Sequence, residues 1–333
     1  MRITSLHLYP IKALRGISLQ QAQITPKGIK HDRTFILYEV RSQSSSEPPT
    51  LKKMQLDSHP KCALFQQQID HSTHSIKVIH LPSNSTLTIP LEPDISTLTK
   101  IQTDLHGSTT QAYSMADPYD SWFSAHFNIP VKFIYIGDGK RPVLGKTLPP
   151  LPPLSTAPEN KGWFSYLTGS SSNTKPNDGP YITFTDVAPL LITSESSLKD
   201  VSNRLPEENR PMPMYKFRPN VVLDGEGEQA WAEDYWAELT VSHQHKLAMT
   251  GNCVRCISLN VDYETGKPAE GEMGTVLKKL MKDRRVDAGS KWSPVFGRYG
   301  FPLDEQEFII SVGGEVEVTK RNSDRTVWDW PGL

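Results

Sequence analysis

Cysteine is scarce in this chain, and the scarcity excludes several classes of protein. Three cysteines in 333 residues are too few for a disulfide framework, which fits a reducing compartment and leaves Asn84-Ser85-Thr86 as an idle glycosylation signal. Nor can three cysteines build a four-cysteine iron–sulfur site. No stretch is long and apolar enough to span a bilayer. The first residues, Met1-Arg2-Ile3-Thr4-Ser5-Leu6-His7-Leu8, alternate like a strand and lack the apolar centre of a signal peptide. An excess of either charge is missing as well: 36 basic residues face 37 acidic ones, with no sustained basic run, which argues against nucleic acid or a membrane surface as partner. A dinucleotide fingerprint and an internal repeat are also absent. Gly145-Lys146-Thr147 resembles the end of a phosphate-binding loop, but Lys140 stands where its first glycine belongs. Leu148-Pro149-Pro150 cannot continue as the required helix.

What is present is ordinary globular material, 37% hydrophobic and 22% charged, long enough for two cores. Residues 2–9, 17–24 and 33–40 carry alternating or β-branched apolar positions separated by Gly16 and Gly28, consistent with a small β-rich module. Residues 41–50 read as a loop. Further strands are expected at 75–80, 85–89 and 111–115. Asp117-Pro118 should cap a helix, with the proline at its first position and Trp122, Phe123 and Phe127 facing inward. Residues 141–179 form the clearest break, rich first in proline and then in glycine, serine and asparagine, as in a linker or surface excursion. Beyond it, strands are expected at 181–184, 220–223, 238–241 and 257–261, with a last pair at 308–312 and 315–319 across Gly313-Gly314. Thr193 or Ser194 should cap a helix that Pro206 stops, and 273–283 should form another. Many short strands with few helices give a mainly β (α+β) fold and a β-barrel type of second domain.

Chemistry concentrates at Cys253-Val254-Arg255-Cys256. A thiolate is a soft ligand and a good nucleophile, and a neighbouring guanidinium favours it over the thiol. Half a zinc site is one reading, with His243 and His245 as the other half; a solvated hairpin around those histidines argues against it. A dithiol redox motif would need a helix after the cysteines, and the alternation of Ile257-Ser258-Leu259-Asn260-Val261 suggests a strand. Two cysteines of one strand packing in a core is the third reading.

A fourth reading comes from resemblance. Phe217-Arg218-Pro219-Asn220-Val221-Val222-Leu223-Asp224-Gly225, Ala230-Trp231-Ala232-Glu233-Asp234-Tyr235-Trp236, Cys253-Val254-Arg255-Cys256 and Val261-Asp262-Tyr263-Glu264-Thr265-Gly266 resemble successive motifs of a MOSC domain, the molybdenum-cofactor domain related to the C-terminal part of cofactor sulfurases. Leu8-Tyr9-Pro10-Ile11-Lys12-Ala13-Leu14-Arg15-Gly16 and Gly28-Ile29-Lys30-His31-Asp32-Arg33-Thr34-Phe35 are similar to the β-rich module that precedes MOSC in the mitochondrial amidoxime-reducing components. The resemblance implies an N-terminal β-barrel-like module over 1–140 and a MOSC β-barrel domain over 180–323, joined by 141–179. It also implies molybdenum-molybdopterin as cofactor, Cys256 as metal ligand and catalytic residue, and Asp186 as a catalytic residue at an acidic position near the metal or simply a helix or turn cap. Lys12, Arg33, Arg218, Asn220 and Arg255 would surround the pterin and its phosphate, and Thr193 and Ser194 would offer a helix start to the cofactor. Such roles suit guanidinium, amide and helix-terminus chemistry. Ala13 and Val254 stand where the family often has serine, so two hydroxyl hydrogen bonds to the cofactor are missing, and the role of Cys253 stays open.

The activity so implied is pyridoxal-phosphate-independent N-reduction: oxygen is removed from amidoximes, hydroxylamines or N-hydroxylated bases, with electrons from an external donor such as cytochrome b5 and its NADH reductase. A non-catalytic cofactor carrier or sulfur-handling protein is the alternative. The preceding module is too small and too β-rich to be the pyridoxal-phosphate domain of a full sulfurase. The resemblance begins at the first module, so no membrane anchor or targeting segment is expected and the location is expected to be cytoplasmic, with mitochondrial association left open.

Overall fold

A computed structural model describes residues 1–42, 49–145 and 181–332. Its largest sheet has eight strands in the spatial order Ile17–Leu19, Ile3–Leu8, Val221–Leu223, Leu190–Ser194, Val295–Pro302, His245–Val254, Trp236–Val241 and Val316–Arg321. The sheet curls until its far end meets its beginning: Val316 N–H donates to Met1 O (2.8 Å), Ile3 N–H to Gly314 O (2.9 Å) and Gly313 N–H to Ile3 O (2.8 Å). Closure of this kind satisfies edge groups that would otherwise invite foreign strands. Val295–Pro302 is buried at every position, as befits a central strand covered on both faces. Within it Gly297 has a φ of +79°, and a Cβ there would sit 2.8 Å from Thr193 Cγ2, so glycine meets both the conformation and the close approach.

The second body of strands is a five-stranded sheet in the order Thr99–Leu105, Ser108–Ser114, Val131–Tyr135, Phe35–Arg41 and Thr50–Lys53, beside a meander of Phe65–Asp70, Ser75–His80 and Ser85–Pro90. Helix Tyr119–Phe127 buries Phe123 and Phe127 against it. Pro118 lies just before this helix instead of at its first position, and the Asp117 carboxylate accepts the Ser121 N–H at 3.1 Å to cap it.

The expected unit at 1–140 is not self-contained. Ile3–Leu8 pairs with Val221–Leu223, and Gln21–Thr25 pairs with Phe308–Ser311, so Ile3, Leu6, Leu8, Ala22, Ile24 and Ile29 share one core with Leu239, Met249 and Phe308. Residues 146–180, which hold most of the expected linker and the loop-like Lys146-Thr147, lie outside the described residues, as do 43–48. The start of that linker is firmly held: Arg141–Pro142 pairs with Tyr181–Ile182, which is all that forms of the strand expected at 181–184.

Three other expectations are corrected. Residues 257–260 form a 3₁₀ turn, Ile257–Asn260, with a strand only at Val261–Asp262. Asn260 ties this segment to the next helical turns, donating to Gly274 O at 2.6 Å and accepting from Leu277 N–H at 3.1 Å. Those bonds compete with any strand pairing. Phe308–Ser311 and Val316–Arg321 do not pair with each other; the first joins Gln21–Thr25 and the second Trp236–Val241. The helix expected at 273–283 shortens to a 3₁₀ turn Gly271–Thr275 followed by Val276–Leu280.

Glu233, on the short turn Ala232–Tyr235, is fully buried; its Oε2 accepts the Ser197 hydroxyl (2.8 Å), and its Oε1 has no hydrogen-bond partner among the described residues. Burial raises its carboxyl from 4.5 to about 7. Because the folded form holds this proton more tightly than the unfolded one, stability is lost as pH rises from about 4.5 to 7, on the order of 3 kcal/mol in all. In Glu233→Gln that loss should vanish. Melting temperatures measured at pH 5 and pH 8 should show the variant gaining on the parent at the higher pH, and an unchanged gap would refute the assignment.

Candidate functional site

The loops between the two sets of strands enclose a cleft whose lining includes Lys12, Arg33, Lys216, Arg218 and Arg255 against the carboxylates Asp57 and Asp186. Five cations against two anions make it a place for a negatively charged ligand. Lys12 and Ala13 follow the strand Ile3–Leu8, and Arg33 precedes Phe35–Arg41. Arg218 ends the turn Met214–Phe217, and Cys253 to Ser258 leave the strand His245–Val254. Three lining residues hold left-handed backbone, Ala13 (φ +72°), Arg33 (φ +49°) and Arg218 (φ +54°). Such conformations cost energy in non-glycine residues and persist only where the surroundings enforce them.

Buried bonds do that enforcing. The Arg33 guanidinium donates to Asp32, to Asn220 Oδ1 (3.2 Å) and to Arg218 O (3.3 Å). Asp32 in turn accepts the Tyr9 N–H at 2.8 Å. The Tyr9 ring lies against both arginines, 4.6 Å from Arg33 and 4.4 Å from Arg218. Asn220 lines the cleft, yet its amide is committed within the protein: Oδ1 also accepts from Leu191 N–H (3.1 Å), and Nδ2 donates to His7 O (3.3 Å). Arg255 donates to Phe296 O (3.0 Å) and Phe217 O (2.8 Å), and Arg218 to Leu14 O (2.8 Å). The remaining Nη2 groups of Arg218 and Arg255 are buried without a hydrogen-bond partner among the described residues. An unmatched buried donor costs about 1–3 kcal/mol, so these two nitrogens mark where the fold leaves hydrogen bonds unmade on residues that line the cleft.

The acidic side of the cleft is Asp186. Its Oδ1 receives Lys12 Nζ at 2.5 Å, and Lys12 also donates to Phe184 O at 2.9 Å. Burial lowers Lys12 to about 8. Burial works against the charge on Asp186 too, but Lys12 and His106 outweigh it and hold the carboxyl well below its ordinary range. Buried Arg141 donates to the carbonyls of Thr183, Thr185 and Asp186 and so fixes this loop.

The two cysteines of the motif occupy opposite environments. Cys256 is exposed, its Sγ 3.1 Å from Ser258 Oγ, at the head of the turn Ile257–Asn260. Cys253 is buried and donates to Tyr299 Oη at 3.1 Å, and burial raises its thiol despite Arg255. His243 and His245 sit at the other end of the strand His245–Val254, His243 bonded to Glu315 (2.9 Å) and His245 stacked on Phe308 (4.0 Å). Neither completes a site with the cysteines.

Seven of the nine expected site residues thus meet in one cleft: Lys12, Arg33, Asp186, Arg218, Asn220, Arg255 and Cys256. Thr193 and Ser194 do not line it. Thr193 Oγ1 faces Met214 Sδ at 3.4 Å, and Ser194 caps helix Glu195–Asn203 through the Ser196 N–H (3.2 Å). Lys216 and Tyr299 line the cleft and were not expected; Lys216 stands immediately before the motif that begins at Phe217, and that adjacency was the available signal.

Known proteins match over the same segments. Residues 180–317 fit the MOSC domain and residues 1–130 the MOSC N-terminal beta barrel domain. The chain is a MOSC-domain protein with a MOSC N-terminal barrel module. Mitochondrial amidoxime-reducing component 1 of Mus musculus is 24% identical over 316 residues, 94% of this chain and 81% of that protein, and its Homo sapiens counterpart is 24% identical over 320 residues, 94% and 82%. Molybdenum cofactor sulfurase of Solanum lycopersicum is 25% identical over 274 residues, 80% of this chain but 29% of that protein. Among the described residues no helix of this MOSC protein is long and apolar enough to cross a membrane.

Thiol chemistry tests the cleft directly. Burial pushes Cys62 up to about 12 and raises Cys253, and thiol reagents need an exposed thiolate. The folded protein should therefore expose one fast-reacting thiol, and Cys256→Ser should remove it. Rapid labelling of Cys253 or Cys62 in the folded state would contradict the geometry.

Proposed function

We propose that this protein holds a molybdenum-molybdopterin cofactor in the cleft and acts as an oxidoreductase on N-hydroxylated substrates. The observation that carries the reading is the pair of buried, unpartnered Nη2 groups of Arg218 and Arg255 in the same cleft as an exposed cysteine thiol. The donor set fits the group. Guanidinium forks and an ammonium suit a phosphate, and an exposed thiolate suits a soft metal. Arg218, Arg255, Arg33 and Lys12 would hold the phosphate and pterin, and Cys256 would hold the metal. Asn220, with its amide committed to Arg33, Leu191 and His7, acts by holding Arg33 in place. When bound, the cofactor supplies a two-electron redox centre at which oxygen can leave a substrate nitrogen.

The chain's own residues do the rest. Asp186, kept ionised, accepts a hydrogen bond from the N–H or O–H of an amidoxime or hydroxylamine. Tyr299 lines the cleft and accepts the Cys253 thiol at 3.1 Å. Each turnover converts R–NH–OH with two electrons and two protons to R–NH₂ and water, so a one-electron carrier must serve twice. The sequence carries no dinucleotide fingerprint, so the electrons would come from an external donor such as cytochrome b5 with its NADH reductase. The similarity to amidoxime-reducing components over most of both chains favours this reading over a cofactor carrier.

Purified protein should contain molybdenum by elemental analysis and release a fluorescent pterin on denaturation. With NADH and benzamidoxime alone it should be inert; a reduced cytochrome b5 system or a chemical one-electron donor should start reduction. Cys256→Ser should abolish turnover while retaining much of the pterin. Arg218→Ala and Arg255→Ala should each weaken cofactor retention about 10- to 100-fold, consistent with about 1.5–3 kcal/mol per charge-assisted bond, and more steeply at high salt. Protein that carries no pterin would sink the proposal; loaded protein inert with every donor, yet able to pass its pterin to an apo-enzyme, would make it a carrier.

A further inference from the structure

We infer that Lys53 and His106 form a positioning pair that presents Asp186 to the cleft as a carboxylate with one oxygen committed and the other free. The inference rests on the cleft being the reaction site proposed above, and it assigns roles to two residues that lie outside every motif of the resemblance. His106 belongs to the turn between Thr99–Leu105 and Ser108–Ser114, and its side chain is 7% exposed. Its Nδ1 lies 2.8 Å from Lys53 Nζ and its Nε2 3.1 Å from Asp186 Oδ1. An ammonium has donors and no acceptor, so Nδ1 must accept from Lys53; the ring proton then resides on Nε2 and points at Asp186. The carboxylate is thus addressed from the outer side by a neutral imidazole of fixed tautomer, and from the inner side by Lys12.

The surroundings hold this arrangement. Trp330 Nε1 donates to the His106 carbonyl at 2.8 Å, and the Arg141 guanidinium, 6.0 Å over the Trp330 ring, donates to Leu105 O at 3.1 Å. The charged groups that bear on His106 are Lys53, Asp186 and Lys12, with Asp104 one turn away accepting the Gly107 N–H. Burial lowers the imidazole from its ordinary value in spite of Asp186, which agrees with a neutral ring. Both bonds to Asp186 fall on Oδ1, Oδ2 has no hydrogen bond among the described residues, and the side chain remains 45% exposed. Oδ2 is therefore the acceptor offered to a ligand. A ligand with an N–H beside its N–OH, as in amidoximes, matches that single acceptor.

Three variants of the full cofactor-loaded chain separate the roles. His106→Phe keeps the ring and removes both bonds; His106→Gln restores a donor near the Nε2 position; Lys53→Met removes the ammonium. In ¹⁵N-histidine NMR of the parent, His106 should be the Nε2-protonated tautomer, with its Nδ1 resonance moved by Lys53→Met. For benzamidoxime reduction, His106→Phe should lower kcat/KM about 10- to 100-fold, as for other loss of supporting bonds, at unchanged pterin and molybdenum content. His106→Gln should recover most of it. An Nδ1-protonated ring, or a Phe variant with parental kcat/KM, would overturn the pair. If the parent reduces no substrate with any donor, the proposed function fails on its own, and the tautomer still decides the pair because it is read without turnover.

Discussion

The guanidinium of Arg33 joins parts of the chain 187 residues apart: it donates to Asn220 Oδ1 and, through its second nitrogen, to the carbonyl of Arg218. Its partner Asp32 is fully buried and also accepts the Tyr9 amide. Tyr9 then backs both arginines with one ring. A charge this deep is tolerated only when paired and hydrogen-bonded, and removing either member leaves the other uncompensated. The turn around 31–33, the loop 217–220 and the segment 7–9 must therefore take their places together. That constraint is what forms a cleft where strands from the two ends of the sequence meet.

From this node the electrostatics of the cleft follow. Arg218 and Arg255 are fixed by carbonyls of Leu14, Phe217 and Phe296, so their unmatched nitrogens cannot simply swing to solvent. Their cost is borne by the packed fold, and an anion of the kind proposed above would meet donors already oriented. Preorganisation of this kind raises affinity by lowering what must be ordered on binding. The acidic side works oppositely: Lys12 and His106 converge on Oδ1 of Asp186 and keep a carboxylate charged inside a largely cationic cleft. Cation surplus at one wall and a held anion at the other give the cleft a direction.

Much of this was legible in the sequence because motifs fix local geometry. Phe217-Arg218-Pro219-Asn220 and Cys253-Val254-Arg255-Cys256 each form one wall, and alternation located strands such as Ser75–His80 to the residue. Three things were illegible for physical reasons. Alternation at 257–261 misled, since the side chain of Asn260 bonds the following turns and a 3₁₀ turn buries Leu259 as well as a strand would. Pairing partners were hidden: nothing in residues 1–29 says that they complete sheets made from 190–321. His106 was invisible because its role comes from a tertiary contact across 80 residues, with no local pattern around it. Thr193 and Ser194 show the reverse error. Their helix-start chemistry was read correctly at Ser194, but the helix start packs on Gly225 and does not line the cleft.

The two departures from the family pattern gain meaning from where they fall. Ala13 and Val254 both line the cleft, and neither belongs to the network that ties Arg33, Asp32 and Asn220. Ala13 keeps its left-handed backbone (φ +72°), a conformation held by the turn that carries Lys12 and not by its own side chain. If the serines that the resemblance implies are the family's pattern, the fold tolerates the change while the cleft has two hydroxyls fewer. What would orient a ligand is the rigid set: the guanidiniums of Arg218 and Arg255, the Asp186 carboxylate and the exposed Cys256 thiol. Fewer hydroxyls leave orientation to charge and shape, and a cleft of that kind discriminates by the position of a ligand's anionic group and its N–H donors more than by a dense lattice of neutral hydrogen bonds.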